Sequence, residues 1–357
     1  MAKLKHPAPI APPARPKTDR LMRAVILAWI VAGALLLMAL FKVIKAVGLL
    51  SFAGSVSPGA CKPIALAGAG DMAFETKNNT LFIAAAKDGA PAASDGLYAM
   101  TPGGTPTKLA GPEADFHPFA VSVGYNIDGS PSLTAVNRRR NGSVAVEVYN
   151  VIYDAKGASL APQSAVQGQL AKRASGIAAL GNGRFYLASN PTRSDFMAWA
   201  DRWFLLSRAD VLFFNGQLFR QAISGVSDPS AVAVSPDGQR LYVAARGERR
   251  LISLSRDLVS GALTEQSSIA LPMRPERISI DASGAVWAAG PTRLPALSPA
   301  STVVRIVVGS DGKQVSQDTV YANDGQGLKA ATAAVKTPGH LFIGSSSDDK
   351  MLDCAVK

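Results

Sequence analysis

Few residues of this chain are of types that do chemistry near neutral pH. Among its 357 residues there are two cysteines, Cys61 and Cys354, and three histidines. The cysteines lie too far apart for the C-x-x-C spacing of a redox pair or a zinc site, and three histidines give metal binding little material. Thiols so placed are free to pair with each other if the chain folds in an oxidising compartment. The other reading of Cys61, a lipid-attachment signal at Pro58-Gly59-Ala60-Cys61, is opposed by proline where such a signal wants an aliphatic residue. A bond closing so long a loop would restrict the unfolded chain by roughly 5 kcal/mol as an upper estimate. His117 in DFHPFAVSV has a ring that can serve as a base, or it is an exposed loop histidine.

The N-terminal segment sets the compartment in which those residues would act. Residues 1–23 are a basic, proline-rich tail without apolar period, and Ala24 to Phe41 then run without a charge to the flanking Lys42 and Lys45. That length approaches the ~20 residues of a membrane-spanning helix, with lysines able to snorkel toward headgroups. A cleaved signal peptide is the competing reading, opposed by the long basic region and the absence of a small-residue cleavage site. The segment 24–45 is thus expected to be an uncleaved anchor. Lys3, Lys5, Arg15, Lys17, Arg20 and Arg23 precede it against the single acid Asp19, which keeps the N-terminus cytoplasmic. The rest of the chain would face the periplasm or the cell exterior from the inner or plasma membrane. The net charge of +11 belongs largely to the tail: beyond residue 45 there are 29 bases and 25 acids, about +4. That excess is too small to argue for nucleic acid.

After a linker (46–60), residues 61–357 read as short β-strands separated by Gly, Asp, Asn and Pro turns. AVAVSPDGQRLYVAA (231–245) is the clearest unit, with Ser235-Pro236-Asp237-Gly238 suited to a tight turn between two strands. GIAALGNGRFYLAS (176–189), RISIDASGAVWAAG (277–290) and TAAVKTPGHLFIGS (332–345) repeat that form. DMAFETKNNTLFIAA (71–85) and FAVSVGYNIDGSPSLTAVN (119–137) are looser copies. Six starts near 71, 119, 175, 230, 276 and 331, about 46 to 56 residues apart, predict an all-β, six-bladed propeller in one domain. A propeller leaves an exposed edge unless its ring closes. A strand near Met351–Val356 would complete the blade holding the start of the domain, and a Cys61–Cys354 disulfide would lock that closure.

These segments resemble the paraoxonase/arylesterase family. YANDGQGLKAATAAVKTPGHLFIGSSSDDKMLDCAV (321–356) is similar to its C-terminal segment, and CKPIALAGAGDMAF (61–74) to its first cysteine and the acidic pair behind it. DFHPFAVSV, AVNRRRNGSVAVEVYNV (135–151), AVAVSPDGQRLYVAA and ISIDASGAVWAAG fall in the family's order. The resemblance implies a relative of calcium-dependent lactonases, with a catalytic calcium held at the starts of the innermost strands. It also implies changes at those positions. The first-blade acidic pair corresponds to Gly70 and Asp71, the third-blade Asn-Asp pair to Ser175 and Gly176, the fourth-blade asparagine to Ser230, and the fifth-blade Asp-Asn pair to Glu276 and Arg277. The family's proposed histidine base corresponds to Phe119 and its partner to Arg138. Serine is a poor calcium ligand, glycine offers no side chain, and Arg277 brings a fixed positive charge.

The expected tunnel set is therefore Asp71, Phe119, Ser175, Ser230, Arg277 and, in the sixth blade, Thr332. Asp71 and Glu276 are the metal ligands if calcium is kept, and otherwise no cofactor is expected. Glu276 and His117 are the candidate acid or base. The alternative for Asp71, Glu276 and Arg277 is an ion-pair network plugging the tunnel. Ser175 and Ser230 are poor nucleophiles, lacking a G-x-S-x-G elbow. Arg138-Arg139-Arg140 reads as a solvated basic turn or a contact with anionic headgroups, and the aromatic segment SDFMAWADRWFLLS (194–207) as an amphipathic lid or as ordinary packing of a helix on its blade. The function expected is an anchored propeller related to ester and lactone hydrolases with altered or absent calcium chemistry. The alternative is an inactive propeller that binds a small apolar ligand or a protein partner at the tunnel mouth.

Overall fold

The computed structural model describes residues 18–47 and 54–356, apart from 90, 110–114, 156, 169, 173, 190–208 and 293–299. The N-terminal unit is a single helix, α1 (Thr18–Val47), longer at both ends than the expected 24–45. Its stretch Met22–Phe41 has mean hydropathy 2.7 and is long and apolar enough to cross a membrane.

The second unit begins at Val47. Its first strand, β1 (Cys61–Ala65), belongs to the last blade. The first blade is β2 (Ala69–Glu75), β3 (Thr80–Ala85), β4 (Gly96–Met100) and β5 (Thr107–Lys108). The second is β6 (Pro118–Tyr125), β7 (Pro131–Arg138), β8 (Val144–Asp154) and β9 (Gly157–Gln167). The third is β10 (Ala174–Gly181), β11 (Arg184–Ser189), β12 (Ala209–Phe214) and β13 (Phe219–Val226). The fourth is β14 (Pro229–Val234), β15 (Arg240–Ala245), β16 (Arg250–Arg256) and β17 (Leu263–Ala270). The fifth is β18 (Arg277–Ile280), β19 (Val286–Pro291), β20 (Ser301–Val308) and β21 (Gln314–Asn323). The sixth combines β22 (Ala333–Thr337), β23 (His340–Gly344) and β24 (Lys350–Ala355) with β1 as its outer strand. The six repeat starts read from the sequence fall within two residues of the innermost strands.

Adjacent innermost strands pack in a ring, with β22 returning to β2. The core lies between blades: one apolar cluster fills each of the six junctions, for instance Tyr186, Phe213, Leu241 and Val243 between the third and fourth blades. Small residues dominate the innermost strands because wedge-shaped blades crowd toward the axis. Gly176 shows how closely: a Cβ there would stand 2.5 Å from Ala231 Cα of the next blade. In the closing blade Cys61 faces Cys354 across the antiparallel β1–β24 pair, and the two form the expected disulfide.

Candidate functional site

The site is built by an irregularity repeated around the ring. In β2, β6, β10 and β14 the pairing to the neighbouring strand slips after one residue, leaving Gly70, Phe119, Ser175 and Ser230 unpaired. The backbone N–H groups of Glu276 and Thr332, just ahead of β18 and β22, bond Ala289 and Gly344, the residues opposite Arg277 and Ala333. A bulge bends its strand and re-aims a side chain. Six equivalent positions thus surround one end of the tunnel, each followed by a second: Asp71, Ala120, Gly176, Ala231, Arg277 and Ala333. Four of that second set are alanine or glycine, which leaves room for the long Arg277 side chain to cross the tunnel.

The hydroxyls at the first set are ties between blades. Ser175 Oγ donates to Pro229 O at 2.5 Å, Ser230 Oγ to Pro275 O at 2.5 Å, and Thr332 Oγ1 to Gly70 O at 3.0 Å. Each reaches the backbone of the next blade, so neither serine stands ready as a nucleophile.

Arg277 occupies the centre. Its Nη2 donates to Phe119 O at 2.9 Å, and its Nη1 to Ser230 O at 3.2 Å and Glu276 O at 2.9 Å. Its Nε lies 3.4 Å from Asp71 Oδ2. One guanidinium therefore engages the first, second, fourth and fifth blades. Asp71 also accepts the N–H groups of Met72 (2.9 Å) and Val121 (3.0 Å). Burial nonetheless pushes the Asp71 carboxyl up to about 6, against the opposing pull of Arg277 and those two N–H groups. Asp71 and Arg277 also border a tunnel cavity of about 150 Å³ whose walls include Ala73, Val123, Ala179 and Ile280.

Around this pair lies a second group of charges. Phe119 carries the Arg277 guanidinium carbon 4.4 Å and that of Arg138 3.3 Å from its ring centre. The Glu276 carboxylate does not join Arg277; it accepts Arg246 Nη1 at 2.7 Å. Arg246 is held from its other side by both oxygens of Asp228, each at 2.9 Å. Burial works against the charge of Arg246, but Glu276 and Asp228 more than offset it and hold its pKa above the usual arginine range. His117 lies beside the second-blade entrance, its Nδ1 2.7 Å from Asp95, which also accepts Arg140 Nη2 at 2.6 Å.

The structure brings together Asp71, Phe119, Ser175, Ser230, Arg277 and Thr332, as the repeat alignment expected, and sets Glu276 at their edge with a different partner. It corrects the reading of Arg138-Arg139-Arg140 as a solvated turn for Arg138 and Arg139, while Arg140 stays in an exposed turn. Arg138 folds over Phe119, Arg139 pairs with Glu147 at 3.0 Å, and Arg140 with Asp95. The buried Glu147 draws the Arg139 guanidinium in, whereas Arg140 reaches Asp95 from the surface. Sequence reasoning missed Arg246, Asp228 and Asp95; the basic run RGERR (246–250) closing the fourth-blade hairpin was the available signal. The segment 194–207, read as a lid, lies outside the described residues.

Fold and site together define a six-bladed, disulfide-closed propeller whose tunnel entrance is spanned by an arginine. A sequence model of the Arylesterase family matches residues 107–356, and the chain belongs to that family. It is 26% identical to human serum paraoxonase/arylesterase 2 over 65% of this chain and 67% of that protein. It is 27% identical to human serum paraoxonase/lactonase 3 over 64% of this chain and 66% of that one. The chain thus aligns with about two thirds of each relative's length. Among solved structures it resembles a luciferin-regenerating enzyme (TM-score 0.53, 12% identity, 83% of this chain and 94% of that one). It also resembles a gluconolactonase of Xanthomonas campestris (TM-score 0.50, 15% identity, 86% and 99%). At such identities these two support the fold alone.

Proposed function

We propose that this protein is a membrane-anchored member of the arylesterase family that has given up calcium-dependent hydrolysis and uses the tunnel entrance to bind a small ligand. The observation that carries this reading is Arg277. Its guanidinium engages or faces three carbonyls and one carboxylate at the tunnel entrance. Calcium requires six to eight oxygens at about 2.3–2.6 Å, most usefully carboxylates. This donor set does not fit it: an arginine stands at the centre, all three first-set hydroxyls donate to backbone, and Glu276 is turned to Arg246. Among the described residues no three His, Cys, Asp or Glu side chains group as a metal site.

The test is thermal unfolding of the full chain in detergent, in excess calcium and in EDTA, beside aryl-ester and lactone hydrolysis. A ligand at 100 times its Kd adds about 2.7 kcal/mol to the folded state, a clear shift. Superimposable curves and no calcium-dependent turnover are expected; a calcium-dependent rise in Tm refutes the proposal. One observation favours a second reading, metal-independent ester hydrolysis. His117 is oriented by Asp95 as a general base is by its carboxylate. Turnover in EDTA that His117→Gln abolishes would establish it.

The anchored placement rests on α1 and on the basic residues ahead of it, which favour a cytoplasmic N-terminus. Protease added to spheroplasts should then digest the propeller while the tail stays protected.

A further inference from the structure

Three arginines meet at the tunnel entrance, and they differ in what neutralises them. Arg246 has two carboxylates, and Arg277 has one carboxylate and three carbonyls. Among the described residues Arg138 has no carboxylate against it. Its Nη2 donates to Ala174 O at 2.5 Å and its guanidinium lies 3.3 Å over the Phe119 ring. Beyond those two contacts it makes no hydrogen bond or ion pair with the described residues. A guanidinium has five N–H groups, so most of its donor capacity is unused.

That is costly for a half-buried cation and useful for a binding one. Stacking on Phe119 fixes the plane of the group in advance, so little side-chain freedom remains to be lost when a ligand arrives. Burial first, then the nearby charges of Arg277 and Arg246, push the Arg138 pKa down to about 10. It is still charged at neutral pH, in surroundings that disfavour its charge, and an arriving anion relieves both effects.

The anion can be specified by class. Asp71, Asp228 and Glu276 carry three negative charges against the three positive charges of Arg277, Arg246 and Arg138, but all three acids face Arg277 or Arg246, so Arg138 is the arginine without a carboxylate against it among the described residues. Because the acids and arginines of the entrance are equal in number, a dianion would meet about twice the repulsion from the three acids that a single negative charge meets, so a monoanion is favoured. The planar fork of a guanidinium matches the two oxygens of a carboxylate.

We propose that Arg138, held against Phe119, is the anchor of a binding site for a singly charged organic carboxylate at the tunnel entrance. The proposal rests on the ligand-binding reading above and extends it by naming the ligand class. An acid of this kind is what hydrolysis of an ester or lactone leaves, so the entrance is suited to the product type of the family's chemistry.

Isothermal titration of the full chain in a non-ionic detergent with hexanoate, and with hexanamide as its uncharged counterpart, tests it. Hexanoate should bind at least tenfold tighter than hexanamide, and its affinity should weaken as salt screens the pair. Arg138→Gln should lose at least tenfold in hexanoate affinity while Tm stays within a few degrees, since glutamine can still donate to Ala174 O. Arg138→Lys should fall between, and Arg140→Gln should match the wild type. Equal binding of hexanoate and hexanamide, no binding of hexanoate, or unchanged affinity in Arg138→Gln overturns the proposal. Tighter binding of inorganic phosphate than of hexanoate overturns the carboxylate assignment. Should Arg138→Gln fail to fold, the lysine variant and the salt dependence decide. The ligand-binding reading fails by a different result, the calcium-dependent rise in Tm.

Discussion

Replacing Arg277 with methionine keeps much of the side chain's length and removes its charge and every donor. Phe119 O, Ser230 O and Glu276 O then lose their guanidinium donor, and Asp71 loses the cation paired with it among the described residues. Breaking one side of a buried ion pair costs about 3–5 kcal/mol, and the carbonyl losses overlap with that figure because they share one group. For a domain of this size the change should lower Tm by roughly 6–12 °C. The pH dependence is more diagnostic than the size. The Asp71 carboxyl is raised from 3.8 to about 6 in the folded state, so the folded state binds its proton more tightly than the unfolded state does. Stability attributable to Asp71 therefore falls as pH rises from about 4 to about 6 and is level above that. Without Arg277 the folded-state pKa moves higher still, and the fall continues past pH 6. Urea unfolding of wild type and variant at pH 5 and pH 8 should show a larger gap at pH 8. The reasoning is refuted by a gap that is equal at the two pH values, or by a variant as stable as the wild type.

Other expectations follow from single contacts. Converting both Cys61 and Cys354 to serine frees a loop with a sequence separation of 293 and should lower stability by up to about 5 kcal/mol, read as a drop in Tm that reductant reproduces in the wild type. Ser175→Ala and Ser230→Ala each remove a hydroxyl that ties two blades and should cost about 1–2 kcal/mol in urea unfolding, without altering ligand affinity. Glu75 is buried and accepts Tyr125 Oη at 2.6 Å and the N–H groups of Lys77 and Asn78. Burial would raise its pKa, but these donors together hold it below the usual glutamate value of 4.5. Its contribution is fully present above pH 4.5 and lost on acidification through the folded-state value, so Glu75→Gln should destabilise at pH 7 and match the wild type once Glu75 is protonated.

Much of the fold is legible in the sequence because its signals are local. Each hairpin carries its own alternation and turn, as Ser235-Pro236-Asp237-Gly238 does, with Gly238 at a φ of 71°. The site was legible in its positions and not in its partners. Alignment of repeat starts located Ser175, Ser230 and Thr332, but a hydroxyl that binds the next blade's backbone looks the same in sequence as one that faces a ligand. Glu276 and Arg277 are neighbours in the chain, yet their side chains separate, one to Arg246 and the other to Asp71.

By itself the sequence determined the six-fold repeat, the two cysteines at its seam, the apolar N-terminal segment and the residue types at the strand starts. These are properties of short stretches, set by periodicity, turn chemistry and residue type. Only the tertiary structure decided that Arg277 donates to Phe119, 158 residues away, or that Arg138 lies stacked on Phe119 with no carboxylate against it among the described residues. A guanidinium on a long side chain can reach any of several blades. Which acids and carbonyls lie within its reach is fixed only when the ring closes and brings all six strand starts to one end of the tunnel.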